Sequence, residues 1–126
     1  MKRRTEQLMT IDPQSRVPIY EQIYRGITEL AAKKLLSPGD KLPSVRELSK
    51  RYGINPNTAA KAFSMLERDG IIYSVPGKGS FLSGEHQDVI LKNAEHEFSE
   101  AALKAAKSGL STEKMNEIVQ ETEANV

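Results

Sequence analysis

From Ile19 onward apolar side chains recur every three or four positions, at Ile19, Ile23, Ile27, Leu30 and Leu35. That spacing is the buried stripe of a helix. Pro18 suits the first helical position, where its missing N–H costs nothing, and Glu21 complements the first turn. The pattern predicts a helix ending near Leu36, stopped by Ser37-Pro38-Gly39-Asp40. Ahead of it, Leu8-Met9-Thr10-Ile11-Asp12 reads as a short extended segment and Asp12-Pro13-Gln14-Ser15 as a turn.

Two short helices follow. Ser44-Val45-Arg46-Glu47 has the spacing of a capping box, with Val45 and Leu48 facing inward. Gly53 supplies the left-handed stop. Asn55 then caps a second helix that has Pro56 at its first position. Only Gly53 and Ile54 lie between the helices, too little chain for anything but a sharp helix-turn-helix. On the second helix Ala59, Ala62, Phe63 and Leu66 share the inward face, the two alanines marking close helix packing. The outward face carries Asn57, Thr58, Lys61, Ser64 and Arg68.

Beyond Gly70 the period changes. Ile71-Ile72-Tyr73-Ser74-Val75 and Ser80-Phe81-Leu82 are strand-like, and Pro76-Gly77-Lys78-Gly79 between them makes a hairpin with a lysine at its tip. Long helix, helix-turn-helix and hairpin in that order define a winged helix-turn-helix. The remaining chain has no strand signal: Ile90, Ala94, Phe98, Ala101 and Ala105 form one helical stripe, Gly109 interrupts it, and Ser111 caps a further helix with Met115, Ile118 and Val119. The expected architecture is mainly α with a small β-hairpin wing. It divides into a winged domain over 1–84 and a helical pair over 85–126, with a glycine hinge at Ser83-Gly84-Glu85.

The 126 residues, 38% of them hydrophobic, suffice for one compact domain and an appendage. The absence of cysteine excludes a disulfide framework and points to the cytoplasm. No apolar run has the length of a membrane span, and the basic start Met1-Lys2-Arg3-Arg4 runs into Thr5-Glu6-Gln7 instead of an apolar signal region. The net charge of +1 conceals a division: 1–84 holds 14 Lys and Arg against 8 Asp and Glu, a net +6, while 85–126 holds 4 against 9, a net −5. The basic part is therefore the one suited to a polyanion. The tail stripes are too poor in large apolar side chains to form a core of their own, and a second copy of the chain is the simplest cover. Ile90, Ala94, Phe98, Met115, Ile118 and Val119 are the expected dimer contacts.

The second helix of the motif begins without an acidic residue, so its partial positive charge stays available. Such a helix enters the major groove N-terminus first. Asn57 is placed for a base edge, Thr58 for a phosphate or a thymine methyl, and Lys61 for guanine or a phosphate. Arg46 on the preceding helix is placed to clamp the backbone, and Lys78 between Gly77 and Gly79 to reach a groove. Ser44 and Asn55, the two caps, complete the candidate DNA-binding set.

Pro38-Gly39-Asp40-Lys41-Leu42-Pro43-Ser44-Val45-Arg46-Glu47-Leu48, with Ile54-Asn55-Pro56-Asn57-Thr58, Leu66-Glu67-Arg68-Asp69-Gly70 and Gly77-Lys78-Gly79-Ser80-Phe81, resembles the DNA-binding domain of GntR-family transcriptional regulators. The short tail and Asn-Pro-Asn-Thr are most similar to the family's YtrA-like branch. The resemblance implies a dimeric bacterial repressor on a palindromic operator, in this branch often of a transporter operon. Many relatives carry arginines where this chain has Pro56 and Ala60. Arginine readout therefore does not transfer, and Asn57 and Lys61 stand in for it. Neither a large ligand-sensing domain nor an aminotransferase domain with its pyridoxal phosphate is expected.

Two other readings attach to the same residues. A winged-helix protein interaction module would show no salt-dependent DNA binding. An enzyme would need a catalytic constellation, and Ser44, Ser64 and Ser74 have no histidine or aspartate arranged to activate them. His86 and His96 are ten apart, not the three or four that would put them on one helix face, so a solvated surface is expected there and no metal or cofactor.

Overall fold

The computed structural model describes residues 9–126. The basic start and Leu8 lie outside the described residues. In chain order the elements are α1 (Ile19–Ala32), α2 (Val45–Tyr52), α3 (Pro56–Arg68), β1 (Ile72–Val75), β2 (Gly79–Leu82), α4 (His86–Lys107) and α5 (Thr112–Glu123). Three helices and a hairpin make the winged helix-turn-helix, and two further helices follow. The chain divides after Ile90 into two compact units.

In the first unit α1 buries Ile23, Ile27, Leu30 and Ala31, as its stripe requires. It ends sooner than the pattern suggested. Lys34 adopts φ 62°, its N–H donates to the Ala31 carbonyl at 3.0 Å, and the Leu35 N–H donates to the Leu30 carbonyl at 2.9 Å. Those two bonds are the Schellman stop. The turn sends Leu35 outward, 46% exposed, and brings Leu36 into the core at 4%. Leu36, not Leu35, therefore closes the stripe.

The segment before α1 is fixed against it. The Gln22 side chain accepts the Asp12 N–H at 2.7 Å and donates to the carbonyls of Asp12 and Val17, each at 2.9 Å. Met9 is buried, and the Tyr52 hydroxyl donates to its carbonyl at 2.7 Å. Met9 lies across Gly26, where an added Cβ would come within 2.5 Å of its Cγ and Sδ.

The capping box of α2 is closed: the Ser44 hydroxyl accepts from Glu47 N at 3.0 Å and Glu47 Oε1 accepts from Ser44 N at 2.9 Å. Gly53 ends the helix at φ 64°. α3 buries Ala59, Ala62, Phe63 and Leu66, the inward face expected of it, and packs on both α1 and α2.

The wing pairs Ile72 with Leu82, Tyr73 with Phe81, Ser74 with Ser80 and Val75 with Gly79. Lys78 N donates to Val75 O at 2.9 Å across Pro76-Gly77. Gly77, at φ 77°, occupies the position of a type II turn that favours glycine. The stretch expected only to stop α1 contributes a third edge: Gly39 N donates to Leu82 O at 2.8 Å, Leu82 N to Asp40 O at 3.0 Å and Leu42 N to Ser80 O at 2.9 Å. Ile23, Ile27, Leu42, Leu48, Leu66, Ile71 and Leu82 are the large side chains at the centre of the core.

The first unit continues past Gly84. Val89 and Ile90 pack against its core, so Ile90 is partly covered within the chain. His86 is also buried, 4% exposed, with Nδ1 2.7 Å from the Ser83 carbonyl. This corrects the solvated surface expected of it. At the junction Ser83 N donates to Ile71 O at 2.9 Å and Glu85 N to Ser83 Oγ at 3.1 Å.

The second unit holds the rest of α4 and all of α5. Gly109 at φ 98° turns the chain, with Leu110 N donating to Ala105 O at 3.0 Å and Gly109 N to Ala106 O at 3.0 Å. Ser111 Oγ caps α5 through Lys114 N at 3.1 Å. Phe98, Ile118 and Val119 are exposed, as are Leu91 and Leu103. Ala94 is exposed and Met115 half-buried. His96 is exposed, 3.0 Å from Glu100. Among the described residues no helix is long and apolar enough to cross a membrane.

Candidate nucleic-acid interface

The N-terminus of α3 is built by short-range hydrogen bonds. Asn55 Oδ1 accepts from Asn57 N at 2.8 Å. The Asn55 carbonyl accepts from Thr58 N at 3.0 Å and Ala59 N at 3.2 Å, and Pro56 has no N–H to leave unpaired. The backbone donors of the first turn are thus used internally. Recognition at this end falls to side chains, in a field kept positive because the turn has no acidic residue.

Among those side chains, Asn57 and Lys61 are exposed and Thr58 is half-buried. The Asn57 carboxamide has no partner among the described residues, so its donor and acceptor are both free for a base edge. Lys61 does have a neighbour. Its Nζ stands 3.9 Å from the centre of the Tyr20 ring. Arg68, expected on the same outward face, turns to Asp69, with Nε 3.2 Å from Oδ1.

Arg46 is exposed in the first turn of α2 and pairs with nothing among the described residues. The Ser44 hydroxyl accepts in the capping box yet keeps its proton for a further acceptor. Lys78 is exposed at the wing tip between glycines at φ 77° and 122°. The wing is bolted at two points: the Ser74 hydroxyl donates to Glu67 Oε1 of α3 at 3.1 Å, and Leu42 N, just before the α2 cap, donates to Ser80 O. Wing tip, α2 cap and α3 thus belong to one connected scaffold.

Three cations passed over in the sequence stand on the same elements. Lys50 and Arg51 are exposed in the last turn of α2, and Lys41 lies along the wing with its Cε 3.0 Å from where a Gly79 Cβ would be. A lysine facing a glycine 38 positions away leaves no local pattern. His86 is buried at the start of α4 and His96 is exposed along it.

A helix-turn-helix with a polar, positive recognition helix and a basic hairpin beside it defines a winged-helix DNA-binding protein. Residues 19–82 match the bacterial regulatory proteins of the gntR family. The chain is 38% identical over 123 residues to the HTH-type transcriptional repressor YtrA of Bacillus subtilis, covering 94% of this chain and 95% of that protein. It is also similar to the structure of YtrA from Sulfolobus acidocaldarius, a GntR-family transcription factor, with 38% identity, TM-score 0.63, and coverage of 77% of this chain and 98% of that one. The DNA-binding domain of AraR in complex with an operator aligns at 30% identity and TM-score 0.53 over 60% of this chain and 93% of that one. The chain belongs to the GntR family, in its YtrA-like branch, and is a DNA-binding transcriptional regulator.

Proposed function

We propose that the protein is a cytoplasmic repressor that binds a palindromic operator as a homodimer, one α3 helix to each half-site. The observation that carries the DNA contact is the head of α3: a carboxamide and an ammonium exposed on a turn without acidic residues, flanked by Arg46 and Lys78 with no partner among the described residues. In this reading Asn57 reads a base edge and Lys61 a guanine or a phosphate, while Thr58 contacts a phosphate or a thymine methyl. Arg46, with the caps Ser44 and Asn55, engages the backbone, and Lys78 enters a groove because Gly77 and Gly79 keep the tip thin. The name of the Bacillus relative supports repression. The exposed apolar side chains of the second unit support self-association. The branch resemblance supports a transporter operon as the target.

Selection of bound duplexes from a random pool tests this reading. The expected product is a two-fold symmetric consensus with half-site centres about 10 bp apart or a multiple of that, bound with an affinity that falls steeply with salt. Absence of any enriched consensus, or binding indifferent to salt, would favour the protein interaction module instead.

A further inference from the structure

Of Asn57, Thr58 and Lys61, the exposed and half-buried side chains at the head of α3, Lys61 is held by a side chain from another helix. Its ammonium lies over Tyr20, in the first turn of α1. The ring is fixed: Tyr20 is half-buried and packs against the core. Lys61 itself is exposed, so the ammonium can rest on the ring's negative face and still direct N–H donors outward. A free lysine loses the freedom of a four-carbon stem when it meets an anion or a base. A lysine already seated has less to lose.

We propose that Tyr20 is a positioning residue for DNA recognition, its ring seating the Lys61 ammonium at the major-groove face of α3. The inference rests on the DNA-binding reading above. It extends the recognition surface to α1. The interaction requires the ring face and makes no use of the hydroxyl.

The test is a double-mutant cycle on the full chain, using a duplex that carries the consensus the parent selects from a random pool, with a scrambled duplex of equal length as control. Tyr20→Leu should weaken consensus binding about two- to fivefold, and Tyr20→Phe should bind as the parent does. In a Lys61→Ala background Tyr20→Leu should add no further loss. Without DNA, the Lys61 methylene protons next to the ammonium should show a ring-current upfield shift that Tyr20→Leu abolishes and Tyr20→Phe keeps. Equal losses from Tyr20→Leu in both backgrounds would assign Tyr20 to structure alone. Tighter binding by Tyr20→Leu would mean the ring holds Lys61 away from DNA, and an unshifted lysine would remove the contact itself; each overturns the proposal. A parent chain that selects no consensus would instead overturn the DNA-binding reading beneath it.

Discussion

Gly26 occupies the interior of α1, where glycine costs about 1 kcal/mol relative to alanine, and the structure supplies the reason it is there. A Cβ at that position would lie within 2.5 Å of the Met9 Cγ and Sδ. Gly26→Ala should therefore destabilise the protein by roughly 1 to 2 kcal/mol, the loss of Met9 burial outweighing the gain in helix propensity. In a Met9→Ala background the same substitution should stabilise by about 1 kcal/mol. Denaturant titrations of the four proteins would show the change of sign, and a Gly26→Ala effect of equal sign in both backgrounds would discount the clash. Lys34 poses the opposite case. It adopts φ 62° without the freedom of glycine, so Lys34→Gly should raise stability by about 1 kcal/mol, read from the same titrations. The capping residues Ser44, Asn55 and Ser111 were legible because a cap is a local bond between close neighbours. Gly26 and Tyr20 were not, because their partners Met9 and Lys61 are brought to them only by tertiary folding.

Helices were the most legible elements, since burial along α1 and α3 repeats a period written in the chain. The wing was legible as a hairpin but not as a three-edged sheet, because residues 39–42 find their hydrogen-bond partners only in β2. The end of α1 was misplaced because Leu35 and Leu36 are both apolar, and only the left-handed turn at Lys34 decides which one is buried. The wing yields a prediction of its own. Gly79 combines φ 122° with Lys41 Cε 3.0 Å from a prospective Cβ, so Gly79→Ala should strain β2 by about 1 to 3 kcal/mol. The amides of Leu42 and Leu82, whose bonds to Ser80 O and Asp40 O complete the third edge, should then lose protection from hydrogen exchange while those of α1 and α3 keep theirs. On the DNA side, Asn57→Ala should cost about 1 to 3 kcal/mol on the selected consensus and little on scrambled DNA. Lys78→Ala and Arg46→Ala should weaken both and each reduce the salt slope by about 1. Equal losses on both duplexes for Asn57→Ala would take base reading away from that residue.

At the scale of the whole molecule, the division of charge in the sequence and the division of the structure differ in where they fall. Charge changes sign after Gly84, whereas the first compact unit extends to Ile90. The difference has a physical source: charge reports what faces solvent, while the boundary is set by Val89 and Ile90, which pack against the first unit's core behind buried His86, with Gln87 and Asp88 between them exposed. The second unit is left with Leu91, Phe98, Leu103, Ile118 and Val119 exposed and no buried side chain on α5. Self-association through that unit is the proposed remedy, and the boundary dictates how to test it. A chain ending at Ile90 should fold with nearly the parent's head stability, sediment as a monomer at micromolar concentration, and bind single half-sites weakly. A chain ending at Gly84 should also be monomeric but lose about 1.5 to 3 kcal/mol for each large apolar side chain removed from the core, less in proportion to its residual exposure. The full chain should sediment as a dimer, and Phe98→Glu or Ile118→Glu, each introducing a charge that a packed apolar contact cannot accept, should shift it toward monomer without lowering the melting temperature of the head. A shortened chain ending at Ile90 that still dimerises would move the interface into the winged unit, and the exposed side chains of α4 and α5 would then need a different partner.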